Sequence, residues 1–209
     1  MNTDSGHGTR CDLKIETLSL GPLATNCYIV SDGTRTIVID PAEDAEPLRS
    51  SLAGREVDGI INTHGHFDHV GGNWAIDPSG TRIFIHPADI PWVDDAYPGH
   101  PPFAHHLKEG DTPIPCLEVL HLPGHSLGSI ALVGGGAIFC GDVLFAGSVG
   151  RTDLPGGSWK TLQRSLTRLI SLPGDYVIYP GHGPQTTLGH ERKTNPFLAG
   201  LEGWTPPKQ

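Results

Sequence analysis

Short runs of apolar residues recur along the chain, and in its first third they predict β-strands bounded by turns. Three such runs follow one another at residues 13–20 (LKIETLSL), 26–32 (NCYIVSD) and 35–40 (RTIVID). Residues 43–54 favour a helix that ends at Gly54, and residues 57–63 (VDGIINT) favour a buried strand. That strand leads directly into the histidine-rich segment THGHFDH.

The rest of the chain repeats this order of strands followed by a helix. Strands are expected at residues 81–86, 117–125, 129–135, 137–145 and 175–183, and a short helix at residues 72–78. A longer helix follows Ser158, a suitable N-cap, and its predicted buried face carries Trp159, Leu162, Leu166, Leu169 and Ile170. Residues 91–115, rich in proline and histidine, are expected to form a long surface loop. This order favours two sheets with helices outside them.

Length and composition restrict the class of protein. The 209 residues predict one domain, residues 13–209, after a loose tail at residues 1–12. The 23 acidic and 14 basic residues give a formal net charge of −9, which argues against binding to nucleic acid. No segment resembles a secretion signal or a membrane span, and Cys27 and Cys140 lie in apolar runs typical of buried free thiols. We therefore expect a soluble cytoplasmic protein without a nucleic-acid partner, and its oligomeric state, monomer or homodimer, stays open.

The segment THGHFDH concentrates side chains that bind metal ions. Three of the 12 histidines and one aspartate fall within six positions: His64, His66, Asp68 and His69. Such a string is rare by chance. Gly65 allows the backbone to bend so that the first two imidazoles face one point, while Asp68 and His69 face a neighbouring point. Four donors are too few for two metal sites, so the hypothesis requires more of them elsewhere.

Three other predicted strands end in a donor of the same kind. His125 lies in LPGHSLGS, Asp142 in FCGDVLF and His182 in YPGHGP. Each follows a glycine, which allows the backbone to approach a site closely, and each lies where a strand gives way to a loop. The sequence therefore predicts seven donors around a cavity for two metal ions.

Charge counting supports a bridging role for one carboxylate. Two divalent cations about 3.5–4 Å apart repel each other, and a shared carboxylate, here Asp142, offsets that repulsion. The first ion is expected on His64, His66 and His125, and the second on Asp68, His69 and His182. Such a pair lowers the pKa of bound water from 15.7 toward about 7, which favours hydrolysis. Asp68 is also expected to orient the hydroxide, and zinc is the expected metal, with iron or manganese as alternatives.

Two other classes of hydrolytic or nucleotide-driven enzyme have little support. The chain has no G-x-S-x-G segment for a serine nucleophile and no G-K-[ST] phosphate loop. A scaffold that uses its metals only structurally is also disfavoured, because structural zinc sites are closed and rich in sulfur.

The motifs THGHFDH, GH at 124–125, GD at 141–142 and GH at 181–182 resemble those of the metallo-β-lactamase superfamily. The resemblance covers residues 13–200. It implies an α+β fold, a four-layer αββα sandwich that holds its metals at one edge of the two sheets.

Three further segments resemble the short glyoxalase II-like hydrolases, which are similar to hydroxyacylglutathione hydrolase. They are GPLATNCYIV (21–30), GDVLFAGSVGRTDLPGG (141–157) and NPFL (195–198). This resemblance implies hydrolysis of an acyl thioester, such as S-lactoylglutathione, to a thiol and an acid. The lysine and tyrosine that follow the GD motif in full-length glyoxalase II are matched here by Arg151 and Asp153. Arg151 is expected to bind a substrate carboxylate and Asp153 to hold Arg151 or its loop, while the identity of the thiol stays open.

Two related activities remain as alternatives. The stretch GRTD also resembles the persulfide dioxygenases, which implies one iron on His64, His125 and Asp142. The GPLATN and NPFL segments favour the hydrolase over this reading. β-Lactam hydrolysis is less favoured, because those enzymes generally lack an aspartate at the position of Asp142.

Several histidines and aromatic residues are expected to have no part in metal binding. His86 follows a predicted strand and is interpreted as structural. His100, His105 and His106 lie in the expected loop and are predicted to face solvent. Trp92 and Phe103 either line the pocket or anchor that loop.

Overall fold

The structure of the protein, a computed structural model, describes residues 12–80 and 82–201. The tail expected at residues 1–12 therefore lies outside the described residues, apart from Asp12. Six strands form the first sheet: β1 (Lys14–Leu20), β2 (Thr25–Ser31), β3 (Thr36–Ile39), β4 (Gly59–Ile61), β5 (Ile83–Ile85) and β6 (His105–His106). They lie side by side in chain order, the first three antiparallel and β3 to β6 parallel.

The second sheet contains five strands: β7 (Glu118–His121), β8 (Ile130–Gly134), β9 (Ala137–Gly141), β12 (Val177–Pro180) and β13 (Thr186–Thr187). Their spatial order is β13-β12-β9-β8-β7, and only the pair of β9 and β12 is parallel. A separate hairpin joins β10 (Leu144–Phe145) to β11 (Ser148–Val149).

Six α-helices are described: α1 (Glu46–Leu52), α2 (Phe67–Val70), α3 (Asn73–Ile76), α4 (Ile90–Ala96), α5 (Trp159–Ile170) and α6 (Leu188–Thr194). A 3₁₀ turn at Pro87–Asp89 precedes α4. Within the described part of the chain, no helix is both long enough and apolar enough to cross a membrane.

Three buried clusters show how the layers stack. In β2, Tyr28 and Val30 point into a core between the two sheets, while Cys27 and Ile29 point to the opposite face, as the two-residue period of a strand requires. That outer face is covered by α1, α2 and α4, and the outer face of the second sheet is covered by α5 and α6. The four-layer αββα sandwich predicted from the motifs is confirmed. Cys27 and Cys140 are buried free thiols, also as expected.

Two expectations about residues 91–115 were wrong. Residues 91–115 are not one surface loop, because α4 begins there with Pro91 in its first turn, a position that proline favours. His100 is packed rather than solvent-facing: its ring stacks on Trp74 and its side chain is 7% exposed. His105 and His106 are exposed as predicted.

The helix after Ser158 forms as expected, and the Ser158 hydroxyl accepts a hydrogen bond from the backbone N–H of Thr161. Its buried face carries four of the five predicted residues. Trp159 is the exception, because it is 41% exposed and lies against Phe197 instead of facing the core.

Candidate metal centre

All seven predicted donors lie together at one edge of the sandwich. His64 and His66 follow β4, and Asp68 and His69 lie in α2, which begins directly after His66. The second sheet contributes the other three donors, which follow β7, β9 and β12: His125, Asp142 and His182. Ends of strands from both sheets therefore meet across the sandwich at one place.

His64, His66 and His125 form the first donor set. Nε2 of His125 lies 3.2 Å from Nε2 of His64 and 2.9 Å from Nδ1 of His66. Nitrogens bound to one tetrahedral zinc ion at 2.0–2.1 Å are about 3.3 Å apart. All three side chains are buried, and their ligand nitrogens lie close enough together to bind one ion.

Asp68, His69 and His182 form the second donor set. Oδ2 of Asp68 lies 3.6 Å from Nε2 of His69 and 3.3 Å from Nε2 of His182. Asp142 stands between the two sets, with one oxygen 3.5 Å from Nε2 of His69 and the other 3.6 Å from Nε2 of both His125 and His182. This carboxylate is therefore placed to serve both sets.

Unpartnered buried atoms indicate that the cluster is built for cations. Among the described residues, four buried polar side-chain atoms have no hydrogen-bond partner, and two of them face the donor sets: Nε2 of His69 and Oδ1 of Asp142. A buried polar group without a partner costs about 1–3 kcal/mol, so such a concentration needs a compensating ligand. The donor types and their spacing fit a pair of divalent ions.

The far nitrogens of three histidines are already held in place. Nδ1 of His69 lies 2.9 Å from Oδ2 of Asp40, Nδ1 of His125 lies 2.9 Å from the carbonyl oxygen of Arg151, and Nδ1 of His182 lies 3.1 Å from that of Leu23. Each acceptor places the proton on Nδ1 and leaves the Nε2 lone pair free. Such outer hydrogen bonds typically orient histidines that bind metals.

Asp40 supports the His64–His69 turn from the end of β3. Its carboxylate also accepts hydrogen bonds from the backbone N–H and the hydroxyl of Thr63, at 2.7 and 2.6 Å, and its side chain is 1% exposed. Asp40 has a left-handed backbone with φ of 50°, a conformation that aspartate tolerates better than most residues.

The start of β2 positions the second donor set. The hydroxyl of Thr25 donates to Oδ2 of Asp68 at 3.2 Å. The side-chain amide of Asn26 donates to the carbonyl oxygens of Pro180 and Gly183, on either side of His182, at 3.0 and 2.8 Å. Thr25 and Asn26, the TN pair of the GPLATN segment, therefore hold Asp68 and the turn that carries His182.

Asp89 joins the loops of the first donor set. Its Oδ2 accepts from the backbone N–H of Gly65 at 3.0 Å and from the hydroxyl of Ser126 at 2.6 Å, while its Oδ1 accepts from the N–H of Gly128 at 2.6 Å. Asp89 is fully buried. It thus ties the turn that carries His64 and His66 to the turn that carries His125.

Glycines at the strand ends leave room for this crowding. Gly141 has φ of +48°, and a Cβ there would overlap the side chain of Thr63. A Cβ at Gly181 would overlap Oδ1 of Asp142 and press on His69. The glycines before Asp142 and His182 are therefore required by close approach, as their positions in the sequence suggested.

Burial keeps the first donor set in the form that metals require. It lowers the pKa of His64 well below its ordinary value and that of His66 to about 4, and the neighbouring imidazoles add to both effects. Both rings are therefore neutral at physiological pH. Only a neutral imidazole can bind a metal ion.

The second donor set carries more negative charge. Burial also favours a neutral His69, but the carboxylates of Asp40 and Asp142 outweigh it and raise the pKa of that ring to about 9. Burial opposes ionisation of Asp68, yet a hydrogen bond from His182 and the charge of His69 hold the pKa of this carboxyl below its usual range. A cation bound here replaces the proton of His69.

The cluster lies at the base of an open cleft of about 760 Å³. The cleft wall is largely apolar and includes Leu23, Phe67, Trp92, Phe145, Val149 and Leu154. Trp92 lines the cleft, and its ring meets that of His66 edge-on with centroids 4.9 Å apart. Phe103 is buried near Trp74 and His100, away from the lining.

Arg151 and Asp153 form an ion pair beside the cleft. Nε and Nη2 of Arg151 donate to the two oxygens of Asp153 at 2.7 and 2.8 Å. Both side chains are mostly exposed, and Arg151 is in the cleft wall. His86 lies elsewhere: it stacks on His121 and caps the 3₁₀ turn by accepting a hydrogen bond from the N–H of Ala88.

Sequence reasoning did not identify Thr25, Asn26, Asp40 or Asp89. None of them belongs to the two donor sets. Thr25 and Asp40 contact a metal-donor residue directly, whereas Asn26 and Asp89 hold the turns that carry such residues. Asp40 and Asp89 each follow an apolar stretch, a signal shared with many strand ends and turns that have no such role.

Two adjoining His/Asp donor sets at the edge of an αββα sandwich define a class of metal-dependent enzyme. The model of the metallo-β-lactamase superfamily matches residues 20–182. Among relatives, hydroxyacylglutathione hydrolase GloC from Haemophilus influenzae is 33% identical over 89% of this chain and 98% of its own. The chain belongs to the metallo-β-lactamase superfamily and is a metal-dependent hydrolase of that family.

Two solved structures extend the comparison. The structure of TTHA1623 in a di-iron-bound form is 41% identical, with a TM-score of 0.81 over 88% of this chain and all of that one. The structure of BLEG-1 B3 metallo-β-lactamase is 34% identical, with a TM-score of 0.78 over 90% of this chain and all of that one. The names of GloC and BLEG-1 thus state different activities for two chains that are both similar to this one.

Proposed function

We propose that the protein hydrolyses acyl thioesters in the manner of hydroxyacylglutathione hydrolases, with two divalent metal ions at the cluster. The observation that carries the proposal is the pair of donor sets around Asp142, at the base of a cleft large enough for a small substrate. The similarity to GloC supports the thioester class. Zinc, iron and manganese are the candidate metals, and the di-iron form of TTHA1623 keeps iron among them.

Two ions at the cluster supply hydroxide at neutral pH, because they lower the pKa of bound water toward about 7. The residues around them set its direction. Asp68 is ionised, 14% exposed toward the cleft and held by Thr25 and His182, so it can accept a hydrogen bond from the attacking water.

The leaving group needs little help from the protein. A thiolate leaves readily from a thioester, so no strong general acid is required. Apart from the donor sets, the charged groups of the described cleft wall are Asp95 and Arg151, and this wall holds no lysine, cysteine or further histidine to protonate a leaving group. The cleft is thus better suited to a thioester than to an amide, whose nitrogen must be protonated.

Protein purified without added metal and then analysed for metal content tests the proposal. We expect two ions per chain and release of free thiol from S-lactoylglutathione or a related lactoyl thioester. Asp142→Asn should lower kcat/KM at least about a hundredfold, since it removes the negative charge that both donor sets share and that offsets the repulsion between two cations. Asp175→Asn, which alters an exposed carboxylate near α6, is the matched control.

Other outcomes would assign a different activity. One iron per chain with oxygen uptake on a persulfide substrate would show a dioxygenase. Hydrolysis of a β-lactam with no thiol release from thioesters would show a β-lactamase, the activity that the name of BLEG-1 states. Either result would overturn the thioesterase proposal.

A further inference from the structure

We infer that the cleft accepts thioesters whose thiol portion is uncharged, in preference to thiols that carry carboxylates such as glutathione. This inference rests on the proposed thioester hydrolysis and narrows its substrate class. It is carried by the charge and polarity of the cleft wall outside the two donor sets.

The basic side chain of the cleft wall is already paired with a carboxylate of the same loop. Arg151 is the basic side chain of the described lining, and Asp153 contacts it through two hydrogen bonds. The carbonyl oxygen of Arg151 is held by His125, which fixes the start of this loop beside the cluster. The guanidinium therefore reaches the cleft together with its own counter-ion rather than as an unpaired charge for a substrate carboxylate.

Asp95 makes the mouth of the cleft negative. It lies on α4, is exposed and lines the cleft together with Ala96 and Trp92. With Arg151 and Asp153 cancelling each other, the carboxylate of Asp95 leaves about one negative charge in the cleft wall outside the donor sets. Glutathione carries two carboxylates and one ammonium group in a thioester, so its net charge is also negative and is repelled.

The apolar lining offers an alternative to charge recognition. Leu23 and Phe67 are 51% and 56% exposed, and both line the cleft, so they offer apolar surface within it. Both are also fixed close to the cluster: the carbonyl oxygen of Leu23 lies beside His182, and Phe67 directly follows His66. An uncharged thiol chain would cover these side chains without the cost of removing carboxylates from water.

Two lactoyl thioesters that differ only in the thiol test the inference. We compare kcat/KM for S-lactoyl-N-acetylcysteamine, whose thiol is neutral, with kcat/KM for S-lactoylglutathione, using the metal-loaded enzyme. The neutral thioester should be preferred at least about fivefold at low salt, because exposed charges interact by small factors, and the difference should lie in KM. Raising the salt to about 0.5 M should reduce the preference, because screening shortens the reach of Asp95.

Variants identify the groups responsible. Asp153→Asn and Asp95→Asn should each lower the preference about threefold by reducing the negative charge at the mouth. Glu56→Gln removes the same charge from an exposed position before β4, at the opposite end of that strand from His64, and should leave the ratio unchanged.

The outcomes separate the inference from the proposed function. Equal or better hydrolysis of S-lactoylglutathione would overturn the inference while thioester hydrolysis stands. A preference for the neutral thioester that neither variant reduces would also overturn it, because another feature would then set the specificity. Failure to cleave either compound by enzyme with both metals bound would overturn the proposed function itself.

Discussion

Oδ2 of Asp40 lies 2.9 Å from Nδ1 of His69, and both side chains are almost completely buried. The hydrogen bond turns Nε2 of His69 toward Asp68 and Asp142. A residue at the end of β3 thus orients a metal donor that lies 29 positions further along the chain. The carboxylate also adds negative charge behind the second donor set.

Replacing Asp40 with asparagine should weaken metal binding at the second donor set. Asparagine tolerates the left-handed backbone of this position, so the loss comes from the charge and from the hydrogen bond to His69. Changes to such outer partners typically cost about 10–100-fold in metal affinity. Metal content after dialysis against graded chelator measures the effect, and retention equal to that of the unaltered protein would contradict it.

Asp77→Asn is the matched control for this experiment. Asp77 is also a buried aspartate, and it accepts a hydrogen bond from the backbone N–H of Arg82 far from the metal cluster. This variant should lose stability and keep its metal. If both variants lose metal equally, general destabilisation rather than the orientation of His69 is the cause.

The donors could be predicted from the sequence because each has a local signal. His125, Asp142 and His182 all follow a strand and a glycine, and strands of one fold direct their ends to common edges. The partners of those donors have no such signal. Asp40 and His69 lie far apart in sequence, and only the folded chain shows that they touch.

Replacing Asp89 with alanine should destabilise the protein and disturb the first donor set. Its carboxylate accepts three hydrogen bonds from two loops, and its removal leaves the backbone N–H groups of Gly65 and Gly128 without a partner, while the hydroxyl of Ser126 keeps that of Ser129. Each such group costs about 1–3 kcal/mol, so we expect a loss of at least about 2 kcal/mol in the free energy of unfolding. Urea unfolding with metal bound measures it.

Asp94 provides the comparison on the neighbouring helix. It is exposed and lies 2.9 Å from His100, and a surface pair of this kind contributes at most about 1 kcal/mol. A loss in Asp89→Ala no larger than that in Asp94→Ala would show that Asp89 does not hold the loops together.

His86 should make the stability of the protein depend on pH. Burial, with a smaller effect of the stacked His121 ring, lowers the pKa of His86, and Nδ1 must stay unprotonated to accept the hydrogen bond from Ala88. Between this lowered pKa and the unfolded value of about 6.5, the unfolded chain binds more protons. The contribution of His86 to the free energy of unfolding is therefore fully present above about pH 6.5 and is lost as the pH falls below that value.

His86→Asn tests this dependence, because asparagine caps a helix at any pH. Between pH 7.5 and pH 5 the unaltered protein should lose up to about 1 kcal/mol more than the variant, the usual worth of a cap. The metal donors titrate in both proteins and cancel in the difference. Parallel loss of unfolding free energy with pH in the two proteins would contradict the prediction.

The least predictable part of the site is the wall that α4 provides. Pro91 and the charged residues after it resemble a loop in sequence, because proline within a helix is disruptive and only its place in the first turn makes it acceptable. Trp92 and Asp95 were therefore not expected on a helix. Trp159 was predicted to be buried and is exposed. The helical period shows which face of the helix a residue lies on, but not how far the neighbouring layer covers that face.

Asn195 links the end of α6 to the hairpin that lines the cleft. Its side-chain amide donates to the carbonyl oxygen of Ser148 at 3.0 Å and to the buried carboxylate of Glu191 at 2.8 Å. Glu191 in turn accepts from the N–H of Gly147, within the turn of the hairpin. The N of the NPFL segment thus supports Phe145 and its neighbours in the cleft wall.

Asn195→Asp should impair substrate binding and leave the metal cluster intact. It removes the donor and places a second carboxylate against Glu191, which loosens the hairpin through like-charge repulsion. We expect KM for a thioester substrate to rise about tenfold, with metal content unchanged, because a misplaced wall reduces the uniform binding of substrate. Thr194→Val, which removes a neighbouring hydroxyl bonded only within its own helix, is the control. A lower kcat or a loss of metal in Asn195→Asp, with KM unaltered, would show that the hairpin supports the cluster rather than the cleft.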